Sequence, residues 1–178
     1  YTTLFRSVLG NLKALSISPE ELEEAFVEGI GFDGSSVDGF ASQAQSDLLA
    51  FPDAATFQVL PWENDGEAVA NVFCDIQTPS RTPFEGDPRR VLERAFRKAD
   101  EKGYTMNVGP KLEYFYFTDS VHPTPIDHAG YLDLASSDLS HDLRYATTRA
   151  LEAMSIPVQY SFHAAGPSQN GVELRYSE

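Results

Sequence analysis

The sequence predicts an α+β fold, built from short strands and a few separate helices. Apolar and polar residues alternate through residues 3–17, as they do in a half-buried β-hairpin. Three later segments carry residues that start or stop helices. Short apolar runs, bounded by Pro, Gly or polar residues, lie between these segments and are typical of strands.

Residues 1–78 are predicted to form one small domain. Its hairpin is expected to turn at Gly10 and Asn11, because Gly and Asn favour the backbone conformations of tight turns. The runs over residues 48–62 and 68–76 are predicted as two further strands. Together with one helix between the hairpin and these strands, they make a compact α+β unit.

The helix predicted over residues 18–29 carries its own boundary signals. Ser18 is expected to be the N-cap, and Glu21 to complete a capping box with it. Pro19 suits the first helical position, where no backbone hydrogen bond is lost. Gly29 is expected to end the helix.

The second half of the chain begins with a linker rich in Pro, Thr and Gly, predicted at residues 79–86, and continues as a second domain at 87–178. Its first helix, over residues 87–103, is capped by Asp87 and opened by Pro88. The apolar stripe of this helix consists of Val91, Leu92, Ala95, Phe96 and Ala99. The later predicted elements are a strand (104–117), a polar loop (118–137), a helix (138–154) and two strands (157–166 and 171–177).

The charge of the chain limits its partners. Its net charge of −14 excludes nucleic acid, because phosphate binding needs a basic face. The acidity has two interpretations, solubility and life at high salt, and the scarcity of lysine favours the second mildly. No apolar run is long enough to span a bilayer, so no membrane partner is expected.

The single cysteine, Cys74, excludes an internal disulfide and suits the reducing cytoplasm, where we expect the protein to reside. Cys74 lies within an apolar run and is predicted to be buried and inert. The chain starts without an initiator Met and stops directly after a predicted strand. Both ends suggest that it is part of a longer protein.

The stretch "GIGFDGSSVDGF" over residues 29–40 is the most unusual in the chain. Its glycines permit close backbone approach, and its Ser and Asp residues offer hydroxyl and carboxylate groups. An irregular turn is the simpler interpretation of the same composition. A Walker-type phosphate loop is excluded, since no Gly-Lys-Ser/Thr follows.

Histidines offer a second set of candidates. His122 and His128 share a polar loop with Asp119 and Asp127, but their spacing matches no established metal pattern, and a solvated loop is the simpler interpretation. His163, at the end of a predicted strand, is the one histidine in a plausible site position. No Ser-His-Asp arrangement, H-E-x-x-H or C-x-x-C motif is present.

Three groups of motifs, taken in order, resemble type I glutamine synthetase. They are "GIGFDGSSVDGF", then "QSDLLAFPDAATFQVLPW" with "TPFEGDPRRVLERA", then "GPKLEYFYF" with "FHAAGPSQNGVELRYS". The resemblance implies a β-grasp N-terminal domain followed by part of an antiparallel-sheet catalytic domain. The family joins ammonia to glutamate with ATP, through a γ-glutamyl phosphate, in sites formed between neighbouring subunits of stacked rings.

In that family, carboxylates hold two divalent metals, Mg²⁺ or Mn²⁺, which clamp the transferring phosphoryl group. The resemblance implies that four of these carboxylates lie within this chain. Only Glu113 remains, since Lys111, Ala164 and Gly171 stand at the other three positions. We expect the Lys111 ammonium to take the former metal position and to pair with Glu113. Neither metal nor ATP is therefore expected to bind this chain alone.

The loop that one family subunit lends to the site of the next is retained. Asp33, Ser35 and Ser36 match it, and the family's Asp at the position of Asp33 helps to bind ammonium and take its proton. Asp33 and Ser36 are therefore the catalytic candidates, acting in a neighbouring subunit. The resemblance implies assembly with identical or other glutamine synthetase-like subunits.

Three functions remain open from the sequence. The first is a glutamine synthetase-like protein that is inactive alone and acts as a structural or regulatory homologue. The second is the N-terminal fragment of an active glutamine synthetase or related γ-glutamyl-amine ligase, which needs replacement ligands such as Glu173. The third is an interaction module with no link to nitrogen metabolism.

Overall fold

The structure of the chain is a computed structural model. The described residues are 1–40, 46–64, 66–134 and 139–177 of 178. They divide into two compact units, Tyr1–Thr105 and Met106–Glu178. Residues 135–138, where the predicted polar loop meets the third predicted helix, lie outside the described residues.

The first unit is a mixed sheet with two helices. Its described elements are β1 (Thr2–Arg6), β2 (Leu12–Ser16), α1 (Leu22–Glu28), β3 (Ile30–Asp33), β4 (Asp47–Pro52), β5 (Gln58–Asn64), β6 (Glu67–Gln77) and α2 (Pro88–Asp100). The strand order is β2-β1-β6-β4-β3, and β5 also pairs with β6. Strands β1 and β6 are parallel, with Thr2 opposite Asn71, and the other pairs are antiparallel. The predicted α+β class is confirmed.

The predicted hairpin is present, but its turn lies slightly earlier in the chain. The Gly10 N–H donates to the Ser7 carbonyl at 2.9 Å, and the Ser7 N–H donates to the Asn11 carbonyl at 2.9 Å. Gly10 has a φ of +82°, a conformation that glycine adopts without strain. The turn is therefore centred on Val8 and Leu9, and the predicted centre at Gly10 and Asn11 is wrong.

The first helix starts differently from the prediction. Ser18 is followed by a 3₁₀ turn, Pro19–Glu21, and α1 begins at Leu22. The Ser18 side chain makes no capping hydrogen bond, so the predicted capping box is wrong. The 3₁₀ turn explains this, because the Glu21 N–H already donates to the Ser18 carbonyl at 3.2 Å. Gly29, with a φ of +76°, ends α1 as predicted.

Two strands differ from the prediction. Residues Ile30–Asp33 form a strand within a segment expected to be irregular. The single strand predicted over residues 48–62 is two strands, β4 and β5, separated by the 3₁₀ turn Ala54–Thr56. Asp53 initiates this turn, because its Oδ1 accepts a hydrogen bond from the Ala55 N–H at 3.1 Å.

The core of the first unit joins the sheet to the segment that follows β3. Its buried residues are Phe5, Val37, Phe40, Leu48, Ala50, Cys74 and Ile76. The ring of Phe40 lies 5.9 Å from that of Phe5 and 5.3 Å from that of Phe84, measured between centroids. Val37 and Phe40 thereby anchor the chain on the C-terminal side of residues 34–36, which fixes that loop against the sheet.

Asp87 and Arg89 connect α2 to the sheet. One Asp87 oxygen, Oδ1, caps the helix by accepting from the Arg89 N–H at 2.9 Å, and Oδ2 accepts from the Ile76 N–H at 2.8 Å. Arg89 donates through Nε to Asp75 at 2.7 Å and through Nη2 to Asp53 at 2.6 Å. The predicted cap of α2 is confirmed, and the same carboxylate also completes the backbone pairing of β6.

No residue of α2 is buried, although its apolar stripe was predicted. Val91 and Leu92 are about half exposed. Helix α2 lies within the first compact unit, Tyr1–Thr105. The domain limits 1–78 and 87–178, with a linker at 79–86, stay predictions.

Cys74 is buried as predicted, and burial raises the pKa of its thiol to about 12. We therefore expect native Cys74 to resist alkylation by iodoacetamide at pH 8, because the reactive thiolate is scarce and shielded. The same chain, unfolded in about 6 M guanidinium, should react completely. Mass spectrometry of both samples checks this, and fast labelling of the native chain would contradict it.

The second unit is a three-stranded sheet with one helix. Its described elements are β7 (Lys111–Phe115), α3 (Leu139–Ala153), β8 (Val158–His163) and β9 (Gln169–Leu174). The order is β7-β9-β8 and every pair is antiparallel. The strand predicted over residues 104–117 is thus reduced to β7, with Val108 making an isolated bridge to Ser177.

In the described parts of the chain, no helix has the length and apolar character needed to cross a membrane.

One face of this sheet packs on α3. Val172 and Asn170 of β9 are buried, and the Asn170 side-chain oxygen accepts from Arg144 Nη1 at 2.6 Å. Arg144 lies on α3 and is itself almost fully buried. Residues at alternate positions of the strands point to the opposite face, where Lys111 and Glu113 lie.

Candidate functional site

The face of the second sheet opposite α3 carries the candidate site, here called the Lys111 face. Its residues are Lys111, Glu113, Phe115, Gln169, Gly171, Glu173, Tyr160 and Phe162. In the antiparallel register, Lys111 lies opposite Glu173 and Glu113 lies opposite Gly171. Directly opposed side chains share a face and are close enough to interact. The predicted same-face arrangement of Lys111 and Glu113 is confirmed.

The Lys111 ammonium lies between two carboxylates. Its Nζ is 3.2 Å from Glu113 Oε1 and 3.8 Å from Glu173 Oε1. The hydrogen bond and charge of Glu113, with the charge of Glu173 added, raise the pKa of Lys111 above its ordinary value. Lys111 therefore stays charged at neutral pH. Its pairing with Glu113, predicted from the sequence, is confirmed.

Both oxygens of Glu113 have partners. Oε1 faces the Lys111 ammonium, and Oε2 accepts from Gln169 Nε2 at 3.0 Å. Gln169 in turn accepts from the Gly166 N–H at 2.9 Å through Oε1. The carboxylate that matches a family metal ligand is thus held in a local hydrogen-bond network.

The other two substituted positions offer no ligand. Ala164 is buried and its N–H donates to the Gln169 carbonyl at 2.8 Å. Gly171 has no side chain, and the Phe162 ring lies over the place where one would project. A Cβ added at Gly171 would lie 2.3 Å from Phe162 Cζ and 2.5 Å from Cε1, far inside van der Waals contact.

The donor set does not fit a hard divalent metal. Such ions take about six oxygen ligands, and this face offers the carboxylates of Glu113 and Glu173 with an ammonium between them. An aromatic ring lies below that ammonium, since Lys111 Nζ is 5.0 Å from the Phe162 ring centroid. Cation–π contact and paired carboxylates suit an ammonium group instead.

His163 does not belong to the Lys111 face. Strand alternation places it on the α3 side of β8, where it is buried opposite Asn170. Its Nε2 contacts Asp127 Oδ1 at 2.9 Å and its Nδ1 contacts the Ala164 carbonyl at 2.8 Å. The structure assigns His163 to a buried contact with the Asp127 carboxylate.

The same oxygen of Asp127, Oδ1, also accepts a hydrogen bond from the Ser168 N–H at 2.9 Å. Desolvation alone would raise the pKa of Asp127. The hydrogen bonds from Ser168, His163, Ser140 and Ala129 outweigh it and hold the pKa below its ordinary value.

The histidine loop forms no metal cluster among the described residues. Asp119 Oδ1 accepts from the N–H groups of Val121 at 2.8 Å and His122 at 2.6 Å. These backbone bonds lower the pKa of Asp119. Asp119 thus orders its own turn and Asp127 pairs with His163, which favours the simpler interpretation of a structural loop.

The Asp33 loop of the first unit is locally ordered. Asp33 Oδ1 accepts from the Ser35 hydroxyl at 2.6 Å and the Ser35 N–H at 2.9 Å, and Oδ2 accepts from the Ser36 hydroxyl at 3.0 Å. These hydrogen bonds hold the pKa of Asp33 below its ordinary value, and those from Ser35 have the largest effect. Asp33 is therefore an exposed, ionised carboxylate at neutral pH.

Gly34 explains why the loop can leave the sheet so sharply. Its N–H donates to the Ser46 carbonyl at 2.6 Å, and a Cβ at this position would lie 2.5 Å from Leu48 Cδ1. Only a residue without a side chain fits this close approach to β4. Gly34 thereby allows Asp33, Ser35 and Ser36 to face solvent together.

Comparison with known families agrees with this geometry. The model of the glutamine synthetase β-grasp domain matches residues 2–79, and that of the glutamine synthetase catalytic domain matches residues 85–178. The chain belongs to the glutamine synthetase family. The predicted family and the predicted β-grasp and catalytic folds are confirmed.

Relatives in the glutamine synthetase family are similar over nearly the whole chain. Glutamine synthetase of Mycobacterium tuberculosis (strain ATCC 25618 / H37Rv) is 45% identical over 180 residues, which cover 98% of this chain and 40% of the relative. Glutamine synthetase of Halobacterium salinarum is 37% identical over 179 residues, which cover 98% and 39%. The chain thus spans about 40% of the length of these relatives.

Solved structures support the glutamine synthetase fold. A cryo-EM structure of Plasmodium falciparum glutamine synthetase has a TM-score of 0.81 at 22% identity, covering 99% of this chain and 41% of that one. A complex of GmaS with ADP has a TM-score of 0.87 at 22% identity, with coverage of 99% and 41%. At this identity, the likeness shows the shared fold alone.

Sequence reasoning missed Phe162 within the Lys111 face. The "FHAAG" motif did contain a signal, because the resemblance implies a pair of histidines in the family at positions 162 and 163, and this chain has Phe162 at the first of them. Its consequence needs the register, which places Phe162 opposite Gly171. The contact of Gln169 with Glu113 was likewise not foreseen.

Proposed function

We propose that this chain is a glutamine synthetase homologue without a metal centre of its own, which acts as a structural or regulatory partner. The observation that carries the proposal is the Lys111 ammonium between Glu113 and Glu173. An ammonium at that position repels a dication and occupies the carboxylates that would bind it. The losses at Ala164 and Gly171 act in the same direction.

The proposed partners are glutamine synthetase-like subunits, either identical or different. The support is the ordered Asp33 loop, which resembles the part that a family member lends to its neighbour. Asp33 is ionised and held by Ser35 and Ser36, so it needs no rearrangement to act in a site supplied by another subunit. Mg²⁺ or Mn²⁺ and ATP would belong to that other subunit, and the proposed location is the cytoplasm.

Absence of metal binding is the first expected result. Isothermal titration of the purified chain with MnCl₂ should show no saturable binding, and no glutamine should form from glutamate, ammonium and ATP. The variant Glu113→Gln, as a control, should give the same titration. Saturable binding lost in Glu113→Gln, or glutamine formation by the chain or by a longer native protein containing it, would contradict the proposal.

The partner role has a separate test. The chain, co-expressed with a competent glutamine synthetase subunit, should co-purify with it. Asp33→Asn should co-purify equally and lower the activity of the mixed assembly, whereas Asp38→Asn, an exposed carboxylate in the same segment, should not. Failure to co-purify would remove the partner role and leave the metal argument standing.

A second candidate, the N-terminal part of an active ligase, is favoured by one contact. Glu173 lies on the Lys111 face without any shift of register, so it is placed as a replacement carboxylate. In that case the ligase activity of the longer protein should fall sharply in Glu173→Gln. An active protein unaffected by Glu173→Gln would exclude Glu173 as the replacement ligand.

A further inference from the structure

The Phe162 ring lies against both of the substituted positions next to Glu113, which are Lys111 and Gly171. On one side it fills the space above Gly171, where an added Cβ would lie 2.3 Å from Cζ, 2.5 Å from Cε1 and 3.0 Å from Cε2. On the other side its centroid lies 5.0 Å from the Lys111 ammonium. Phe162 is 7% exposed, so the ring itself is shielded from water, whereas the Lys111 side chain above it is 48% exposed.

The ring is held in place by other aromatic residues. Tyr131 meets it edge-on at 6.3 Å between centroids, and Tyr160 lies 5.8 Å away on the same strand. A buried ring packed in this way does not move aside without loss of contacts. A side chain at Gly171 and the Phe162 ring therefore exclude each other.

We propose that Phe162 determines which kind of cation the Lys111 face accepts, an organic ammonium group in place of a hard divalent metal. The ring offers a π face, which favours an ammonium group and supplies no oxygen ligand. It also excludes any carboxylate from position 171. This inference rests on the proposed function and extends it, because restoring the lost carboxylates alone does not restore the metal site.

The residues that lie opposite each other on β7 and β9 show which substitutions would rebuild a metal site. Because Gly171 lies opposite Glu113, and Lys111 opposite Glu173, glutamates at 111 and 171 would complete a square of four carboxylates on one face. With Phe162 present, the second of these side chains has no space. With a small residue at 162, all four carboxylates have room to share one ion.

The first test measures Mn²⁺ binding by electron paramagnetic resonance. Lys111→Glu/Gly171→Glu should bind no better than the unaltered chain, and Phe162→Ala added to this pair should tighten binding at least ~10-fold, the scale on which supporting residues change metal affinity. Phe115→Ala, an aromatic truncation on the same face but opposite Gln169 and not Gly171, is the control and should not tighten it. Equal binding with and without Phe162, or equal gain from Phe115→Ala, would overturn the inference.

Thermal unfolding of the same proteins provides a second readout. Gly171→Ala should lower the midpoint clearly in the presence of Phe162 and much less in Phe162→Ala, because the clash is then removed. If Lys111→Glu/Gly171→Glu folds only when Phe162→Ala is added, the steric part is supported directly. Equal loss from Gly171→Ala in both backgrounds would contradict it.

The ammonium preference is tested in Lys111→Ala, which leaves the face with two carboxylates and the ring. Propylammonium chloride should raise its thermal midpoint more than MgCl₂ at equal ionic strength, and Phe162→Ala should abolish that preference. The unaltered chain, whose own ammonium fills the place, should show no preference. If the unaltered chain itself binds Mn²⁺, the proposed function fails, whereas an unchanged preference after Phe162→Ala refutes only the role of Phe162.

Discussion

Asp127→Ala is expected to lower the free energy of unfolding of the second unit by about 1–3 kcal/mol for each buried donor that loses its acceptor. The side chain of Asp127 is 12% exposed and that of His163 is fully buried. One Asp127 oxygen holds the His163 ring and the N–H groups of Ser168 and Ala129. Alanine would leave the donors of His163 and Ser168, which are both buried, without this acceptor.

This contribution depends on pH in a defined direction. The folded pKa of Asp127 lies below its ordinary value of 3.8, so the folded state favours the ionised carboxylate. The stability that Asp127 contributes is therefore fully present above about pH 4, which is near the pKa of Asp in the unfolded chain. It is lost as the pH falls through the pKa of Asp127 in the folded state. The difference between the unaltered chain and the variant should shrink in acid.

Hydrogen exchange of the β8 and β9 amides at pH 7, read by mass spectrometry, reports the stability of this unit. Asp127→Asn keeps one acceptor oxygen and should lose less than Asp127→Ala. Asp119→Ala, in the same loop but exposed, should leave the β8 and β9 amides protected. Equal exchange in Asp119→Ala and Asp127→Ala would show that the buried pair has no special weight.

Asp87→Ala should cost the first unit about 2–4 kcal/mol. Loss of the helix cap accounts for about 1 kcal/mol, and the Ile76 N–H, left buried without its acceptor, accounts for about 1–3 kcal/mol. Asp87 is 2% exposed, so water does not replace the lost oxygen. Urea unfolding followed by fluorescence of Trp62, the single tryptophan, reports this unit.

The pH dependence of Asp87 has the opposite sign to that of Asp127. Desolvation raises its folded pKa, so the folded state binds this proton more readily than the unfolded state. Stability from the group therefore falls as the pH rises from the unfolded pKa through the folded one. Asp100→Ala, at the exposed end of α2, is the matched control and should unfold like the unaltered chain. An equal loss in both variants would refute the role of Asp87.

Local signals in the sequence predicted the features that depend on neighbouring residues. The cap at Asp87 and the helix stop at Gly29 follow from a few adjacent residues, and both are confirmed. The capping box at Ser18 failed because a 3₁₀ turn satisfied the Glu21 N–H first. Propensity therefore indicated that a helix begins near Ser18, but not the 3₁₀ turn or the hydrogen bonds with which it begins.

Contacts between distant residues could not be predicted in this way. His163 and Asp127 are 36 positions apart, and the sequence grouped Asp127 with His128 instead. Phe162 acquires its role only when the register sets it opposite Gly171. For the candidate site, the family motif therefore predicted which groups were lost, and tertiary packing determined what replaced them.

The parallel pairing of β1 with β6 has a consequence for synthesis of the chain. Thr2 lies opposite Asn71, so β1 finds one of its two neighbouring strands only after about seventy further residues have been made. Until then β1 pairs only with β2, and a two-stranded hairpin is at best marginally stable in water. Closing so long a loop also slows folding. We therefore expect the sheet of the first unit to form only after β6 has left the ribosome.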